Sequence, residues 1–273
     1  MKNTAFYAMT MAALLSTGTF VACNDKENGS DTLENETAIK AVDLGLPSGT
    51  KWANMNVGAK NPWEEGDLFA WGETKPKATY EWSNYLYLNQ EQAKDGEEWR
   101  QINKYQADDG LDGIWYENGK FVGDRKTKLD VSDDAATANW GGKWKTPTLD
   151  QLWEIGNNCY WLWTDNYNET DVCGYTVYKA KKYEDGGVII TFSGLLEGAK
   201  PLEGYSLSDT HIFLPAVHNY TDEGLSFNDS EYWLDELYPD CYFGSAAAYG
   251  FGISGYGASV KRCFGLPVRP VRR

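Results

Sequence analysis

The chain has 273 residues, of which 42% are hydrophobic and 15% aromatic, enough apolar surface for a buried core and too much for a disordered chain. Forty acidic against 25 basic residues leave a formal net charge of −15. That balance excludes a surface able to displace counterions from nucleic-acid phosphates, and it excludes electrostatic attraction to anionic lipid. Membrane attachment would have to be covalent or hydrophobic, and the acidity itself reads as solubility outside the cell.

Lys2 gives a positive start, and residues 5–21 are mostly apolar and uncharged. That run is too short and too rich in Ser, Thr and Gly for a membrane span, so it reads as the apolar region of a secretory signal. It ends at Phe20-Val21-Ala22-Cys23. Small residues just before a cysteine resemble the lipobox of bacterial lipoproteins, which implies cleavage after residue 22 and lipid attachment at Cys23. Residues 24–37 are almost wholly polar and cannot bury enough surface to fold. The expected organisation is a signal peptide over 1–22, a lipidated cysteine and tether over 23–39, and one domain over 40–273. Asn24-Asp25-Lys26-Glu27 resembles the acidic signal that sends lipoproteins of the Bacteroidetes to the outer face of the outer membrane.

Within the domain, residues 41–54 predict a strand, a Pro47-Ser48-Gly49 turn and a second strand entering at Lys51-Trp52. Residues 66–72 predict another short strand bounded by glycines. Residues 89–105 have partly helical spacing, with Trp99 and Ile102 on one side, and predict a surface helix. Residues 108–130 predict an irregular excursion. The clearest helix start is Thr146-Pro147-Thr148-Leu149-Asp150-Gln151, where Thr148 can cap free amides while Gln151 reaches back. Leu149, Leu152, Trp153 and Gly156 then share a face, so the helix is expected to pack through Leu152 and Trp153 and to end at Gly156-Asn157-Asn158. Strand-like runs follow at 175–179, 188–192, 212–217 and 265–271, with a hairpin turn at Glu184-Asp185-Gly186-Gly187. The fold class is therefore α+β: short helices, a mainly antiparallel sheet and long loops.

Beyond Cys23 there are four cysteines, Cys159, Cys173, Cys241 and Cys263. An oxidising compartment permits disulfides, and four cysteines allow three pairings. Cys241–Cys263 and Cys159–Cys173 are the candidates. No C-x-x-C is present, which disfavours a zinc ribbon or a thioredoxin-like site.

Several motifs invite chemistry and fall short of it. Gly250-Phe251-Gly252-Ile253-Ser254-Gly255 matches G-x-G-x-x-G, but no helix pattern or acidic residue follows, so it reads as a loop rather than a dinucleotide site. Asp108-Asp109-Gly110-Leu111-Asp112-Gly113 half resembles a calcium loop. Gly110 and Gly119 stand where an EF-hand needs oxygen ligands, which leaves only an irregular calcium site open. His211 and His218 are the only histidines, and their odd spacing puts them on opposite faces of a straight strand. No cofactor is called for, and no catalytic residues are assigned.

In chain order, Val42-Asp43-Leu44-Gly45-Leu46, Lys51-Trp52-Ala53, Asn56-Val57-Gly58-Ala59, Phe69-Ala70-Trp71-Gly72-Glu73, Asp133-Asp134-Ala135-Ala136, Asn139-Trp140-Gly141-Gly142, Trp144-Lys145-Thr146-Pro147-Thr148 and Gly265-Leu266-Pro267-Val268-Arg269-Pro270-Val271 resemble the Fibrobacter succinogenes major paralogous domain, common in lipoproteins of the Bacteroidetes. The resemblance implies a C-type-lectin-like fold related to the sulfatase-modifying factors, with the two chain ends side by side and the run at 265–271 beside Val42 to Leu46. The chain departs from the family pattern at Trp233-Leu234-Asp235, where Trp-Ser-Ser is usual.

The expected function is a non-catalytic binding or adhesion module for a glycan or protein, held to the membrane through its lipid alone. The alternatives are an oxidase of the sulfatase-modifying type and an accessory or tip subunit of a surface fibre. The candidate ligand contacts are Tyr232, Trp233, Tyr238, Tyr242, Tyr249 and Tyr256, because closely spaced aromatics among small residues cannot all enter one core, and rigid aromatics suit a contact surface.

Overall fold

Extended runs cut short by glycine and proline form small sheets rather than one broad one. The computed structural model describes residues 38–92, 101–107, 115–179, 210–221, 224–226, 231–238, 247–252 and 257–273. Their elements in order are β1 (Ala41–Val42), β2 (Lys51–Ala53), β3 (Tyr116–Glu117), β4 (Lys120–Phe121), α1 (Ala135–Trp140), α2 (Leu149–Asn158), β5 (Cys159–Thr164), β6 (Gly174–Lys179), β7 (His211–Pro215), β8 (Asn219–Thr221), β9 (Gly224–Ser226), β10 (Glu231–Leu237), β11 (Ala247–Gly252), β12 (Gly257–Lys261) and β13 (Val271–Arg272). The sheets are β1-β2-β13, β3-β4, β5-β6-β7, β8-β9 and β10-β11-β12, with every described pairing antiparallel. The protein is α+β, mostly antiparallel, with few helices.

The run at 265–271 does reach the first hairpin, but on its other side. Val271 pairs with Trp52 and Arg272 with Lys51, while β1 takes the opposite edge of β2. Proline lacks a donor yet keeps its carbonyl, and this segment uses that asymmetry. Ala53 N–H donates to Pro270 O at 2.8 Å, Val57 N–H to Val268 O at 3.0 Å and Trp233 N–H to Pro267 O at 3.1 Å. The strand expected at 66–72 reduces to one bridge, Phe69 with Leu266.

The helix expected over 89–105 is not formed by its described residues. Leu88 bridges Ile102, and Asn89 N–H donates to Gln101 O at 2.8 Å. Packing overrides the periodicity here, because Ile102 is buried in a cluster with Tyr87 and Leu88. Trp99 and the turn at 184–187 lie outside the described residues, as do 108–114 and 188–192.

α2 begins as expected. Thr148 Oγ1 accepts from Gln151 N–H and the Gln151 side chain accepts from Thr148 N–H. Its buried stripe is Leu152, Ile155 and Gly156. Trp153, expected in the core, is 42% exposed. It follows Leu152 by one position, about 100° around the helix, which carries it off the stripe.

Two apolar clusters form. One gathers Phe69, Trp71, Tyr85, Tyr105, Trp144, Trp233, Leu237 and Leu266. The other gathers Trp52, Leu152, Ile155, Trp161, Ile212, Tyr232, Leu234 and Phe251. β10 contributes to both.

Candidate functional site

Side chains alternate across a strand, and β10 has a core on each face. Tyr232 and Leu234 point into one cluster, Trp233 and Leu237 into the other. Tyr232 Oη donates to Pro215 O at 2.7 Å and its ring stacks on Phe251 at 5.0 Å. Trp233 Nε1 donates to Phe69 O at 2.6 Å. Opposite Trp233 stands Gly250, where a Cβ would come within 2.9 Å of the Val260 side chain. Tyr232 and Trp233, expected among the ligand contacts, are therefore core residues with satisfied polar atoms. The aromatic-rich sequence supplies a strand covered on both faces.

The remaining candidates divide. Tyr238 is partly exposed just past β10. Tyr249 falls within β11, where only its backbone is described. Cys23, Tyr242, Tyr256 and Cys241 lie outside the described residues. Cys263 is buried in the first cluster, and no disulfide joins Cys159 to Cys173. Gly250 and Gly252 lie in β11, whose partner is the antiparallel β12, so the G-x-G-x-x-G run joins two strands instead of opening a helix. His211 lies by the Tyr167 hydroxyl at 3.1 Å and His218 by Glu65 at 3.5 Å. No group of metal-ligating side chains occurs among the described residues.

The second half of β10 behaves differently. The register to β11 slips between Trp233 and Leu237, and the bulged stretch takes new partners. Asp235 N–H donates to Pro147 O at 2.9 Å, and Asp235 O accepts from Leu129 N–H at 3.0 Å. Glu236 accepts from Lys128 at 3.0 Å and from the α2 amide of Leu149 at 3.3 Å. Bulges re-aim side chains in this way, and Asp235 is turned into a pocket of about 520 Å³.

That pocket is built from three segments. Lys143 and Lys145 flank buried Trp144 on an extended stretch, and Lys145 pairs with Val271 in a bridge. Period-two alternation thus puts both lysines on the exposed side. Arg272 of β13 lies over the Trp144 ring at 4.8 Å, and Arg273 follows it. Thr146, Thr148 and Gln151 at the start of α2 complete the wall. Asp134, the N-cap of α1, anchors this wall by accepting from Thr146 N–H at 3.0 Å and from Thr146 Oγ1 at 2.9 Å.

Asp235 Oδ1 is cut off from solvent and has no hydrogen-bond partner. Burial pushes its carboxyl up to about 7, with Lys128 and Lys145 opposing and Glu236 and Asp134 reinforcing the shift. Sequence reading missed this site. Its signals were Lys143-Trp144-Lys145 and the Arg272-Arg273 pair, which only the β13 pairing brings together.

A second charged cluster is saturated. Lys104 Nζ holds Asp130 at 2.8 Å and also Asp133, and it lies over the Tyr105 ring at 4.9 Å. Burial raises the Asp133 carboxyl, but bonds from Lys104, Tyr105, Ser132 and Tyr87 outweigh it and hold it at about 2. Two arginines are wholly buried. Arg269 Nε donates to Asn56 Oδ1 at 2.6 Å, and Arg262 lies over Trp71 at 5.5 Å. Both clamp the structure from within.

No family model, curated protein or solved structure matches this chain.

Proposed function

We propose that this chain is a binding module of the bacterial envelope, anchored by a lipid on Cys23 and built on a C-type-lectin-like fold of the Fibrobacter succinogenes major paralogous type. The observation that carries the binding reading is the pocket beside Asp235. Its volume of about 520 Å³ falls in the range that takes a small molecule, and charged groups converge on it. The pairing of Lys51–Trp52 with Val271–Arg272 supports the fold, which sets early and late segments side by side. The signal-like residues 5–21 ending at Cys23 support the anchor. The natural ligand is a glycan or a protein.

The experiment is to present the purified full chain to an array of glycans and proteins. Saturable capture by at least one ligand class is expected, and an array without a saturable ligand refutes the binding reading. The anchor is tested separately: Cys23→Ser is expected to leave uncleaved or soluble protein. Diacylated mutant protein in the membrane fraction would overturn it.

A further inference from the structure

Four cations line one pocket of an acidic protein. Lys143, Lys145, Arg272 and Arg273 line it, and none of the four makes a salt bridge among the described residues. Elsewhere Lys51, Lys77, Lys104, Lys126 and Lys128 each hold a carboxylate. Arg272 also faces Lys51 across the β2–β13 pair, a like-charge arrangement that opposes folding. With 40 acidic residues in the chain, neutralising partners are abundant, yet none is placed here. Such a cavity concentrates anions against a repulsive background.

Charge is only half of the arrangement. Asp235 Oδ1 is a buried acceptor without a donor, and the neighbouring donors are engaged. Thr146 Oγ1 donates to Asp134, and the Gln151 amide donates to Thr50 Oγ1 at 3.3 Å. An acceptor left in that state calls for a donor from outside. A simple anion satisfies the cations and leaves Asp235 unmet, whereas a neutral sugar does the reverse.

We infer, building on the binding-module reading above, that this pocket takes a small acidic sugar, its carboxylate held by Lys143, Lys145, Arg272 and Arg273 and one hydroxyl donating to Asp235. A monoanionic carboxylate suits the site better than a phosphate dianion, because Asp235, Asp134 and Glu236 add negative charge on the same side. Arg272 is pre-set for the task by its stacking on Trp144, which limits the ordering lost on binding.

The test is calorimetric titration of the purified full chain with glucuronate, galacturonate, glucose and inorganic phosphate. At least one uronate is expected to bind saturably, about tenfold or more tighter than glucose or phosphate, and to weaken as salt rises. The double variant Lys143→Ala/Lys145→Ala alters two exposed side chains, so its melting temperature is expected to hold while uronate affinity falls about tenfold. Asp235→Ala is expected to weaken uronate more than phosphate. The inference is overturned if neither uronate binds, if glucose or phosphate binds as tightly, or if the double lysine variant binds uronate unchanged. Array capture of a neutral glycan or a protein that survives the lysine substitutions would leave the binding-module reading standing and remove the acidic sugar. An array with no ligand at all would remove the reading itself.

Discussion

The two halves of β10 share a strand and differ in fate. Tyr232, Trp233 and Leu234 are enclosed by a core on each side. Two residues after Trp233, Asp235 leaves the β11 register and faces a polar pocket. Composition favours the first half as a contact surface, since that is where the aromatics are. Packing reverses the assignment. A large ring is kept where other rings cover it, and the surface available to a ligand begins where the ladder slips.

Four substitutions and one truncation break or sharpen this contrast. Removal of residues 265–273 has the largest expected effect. It deletes β13, the Leu266 bridge to Phe69 and the acceptor for Trp233 N–H, so the shortened chain is expected to lack a cooperative melt. A folded, protease-resistant fragment would show that β10 and its pocket stand without that clamp.

Trp233→Ala comes next. It empties a site buried in the first cluster and strands the Phe69 carbonyl, and is expected to cost about 3–5 kcal/mol in denaturant unfolding. A loss under about 1 kcal/mol would mean that the first half of β10 is not the enclosed half.

Asp235→Asn probes the other half through pH. The folded carboxyl stands at about 7 against 3.8 for the free group. Between those values the folded state holds a proton that the unfolded state has released, so this group's contribution to stability falls as pH rises from about 4 to 7. Lys128 and Lys145 oppose its protonation, and Glu236 and Asp134 favour it. The Asn variant is expected to match wild type near pH 4 and to melt about 2 °C or more higher near pH 8. Parallel melting curves across that range would mean that Asp235 titrates as an ordinary surface acid.

Thr148→Ala removes the α2 cap beside the pocket and should cost about 1 kcal/mol. An unchanged melting temperature would mean that the Gln151 partnership is dispensable. The smallest effect is expected from Trp153→Ala, within about 0.5 kcal/mol, because its ring lies off the buried stripe. A cost approaching that of Trp233→Ala would place α2 in a different rotation.

The elements legible in the sequence were those specified locally. The Thr148 and Gln151 box, the turn at Pro47-Ser48-Gly49 and the strand near 175–179 each depend on residues a few positions apart. What was hidden depends on long-range pairing. Ile102 and Leu88 carry no sign of their bridge. The prolines at 267 and 270 suggested an edge, while their carbonyls serve as acceptors for three neighbouring segments. The pocket was illegible for the same reason: Lys143, Asp235 and Arg272 belong to three stretches, and only register brings them together. The ligand candidates failed at Tyr232 and Trp233 because burial on both faces of a strand cannot be read from one strand's composition.

The pairing of β2 with β13 also sets a timetable. Trp52 finds Val271, and Phe69 finds Leu266, across about two hundred intervening residues, so these contacts carry a loop-closure entropy that nearest-neighbour hairpins avoid. During synthesis, the stretch around Trp52 and Phe69 emerges long before its partners exist. Until residues 266–272 appear, the apolar faces of Trp52, Phe69 and Trp233 lack their final cover, and a partly made chain is prone to stick to others of its kind. The protein therefore completes itself in one late step, when its most proline-rich segment is drawn in between strands that were waiting for it.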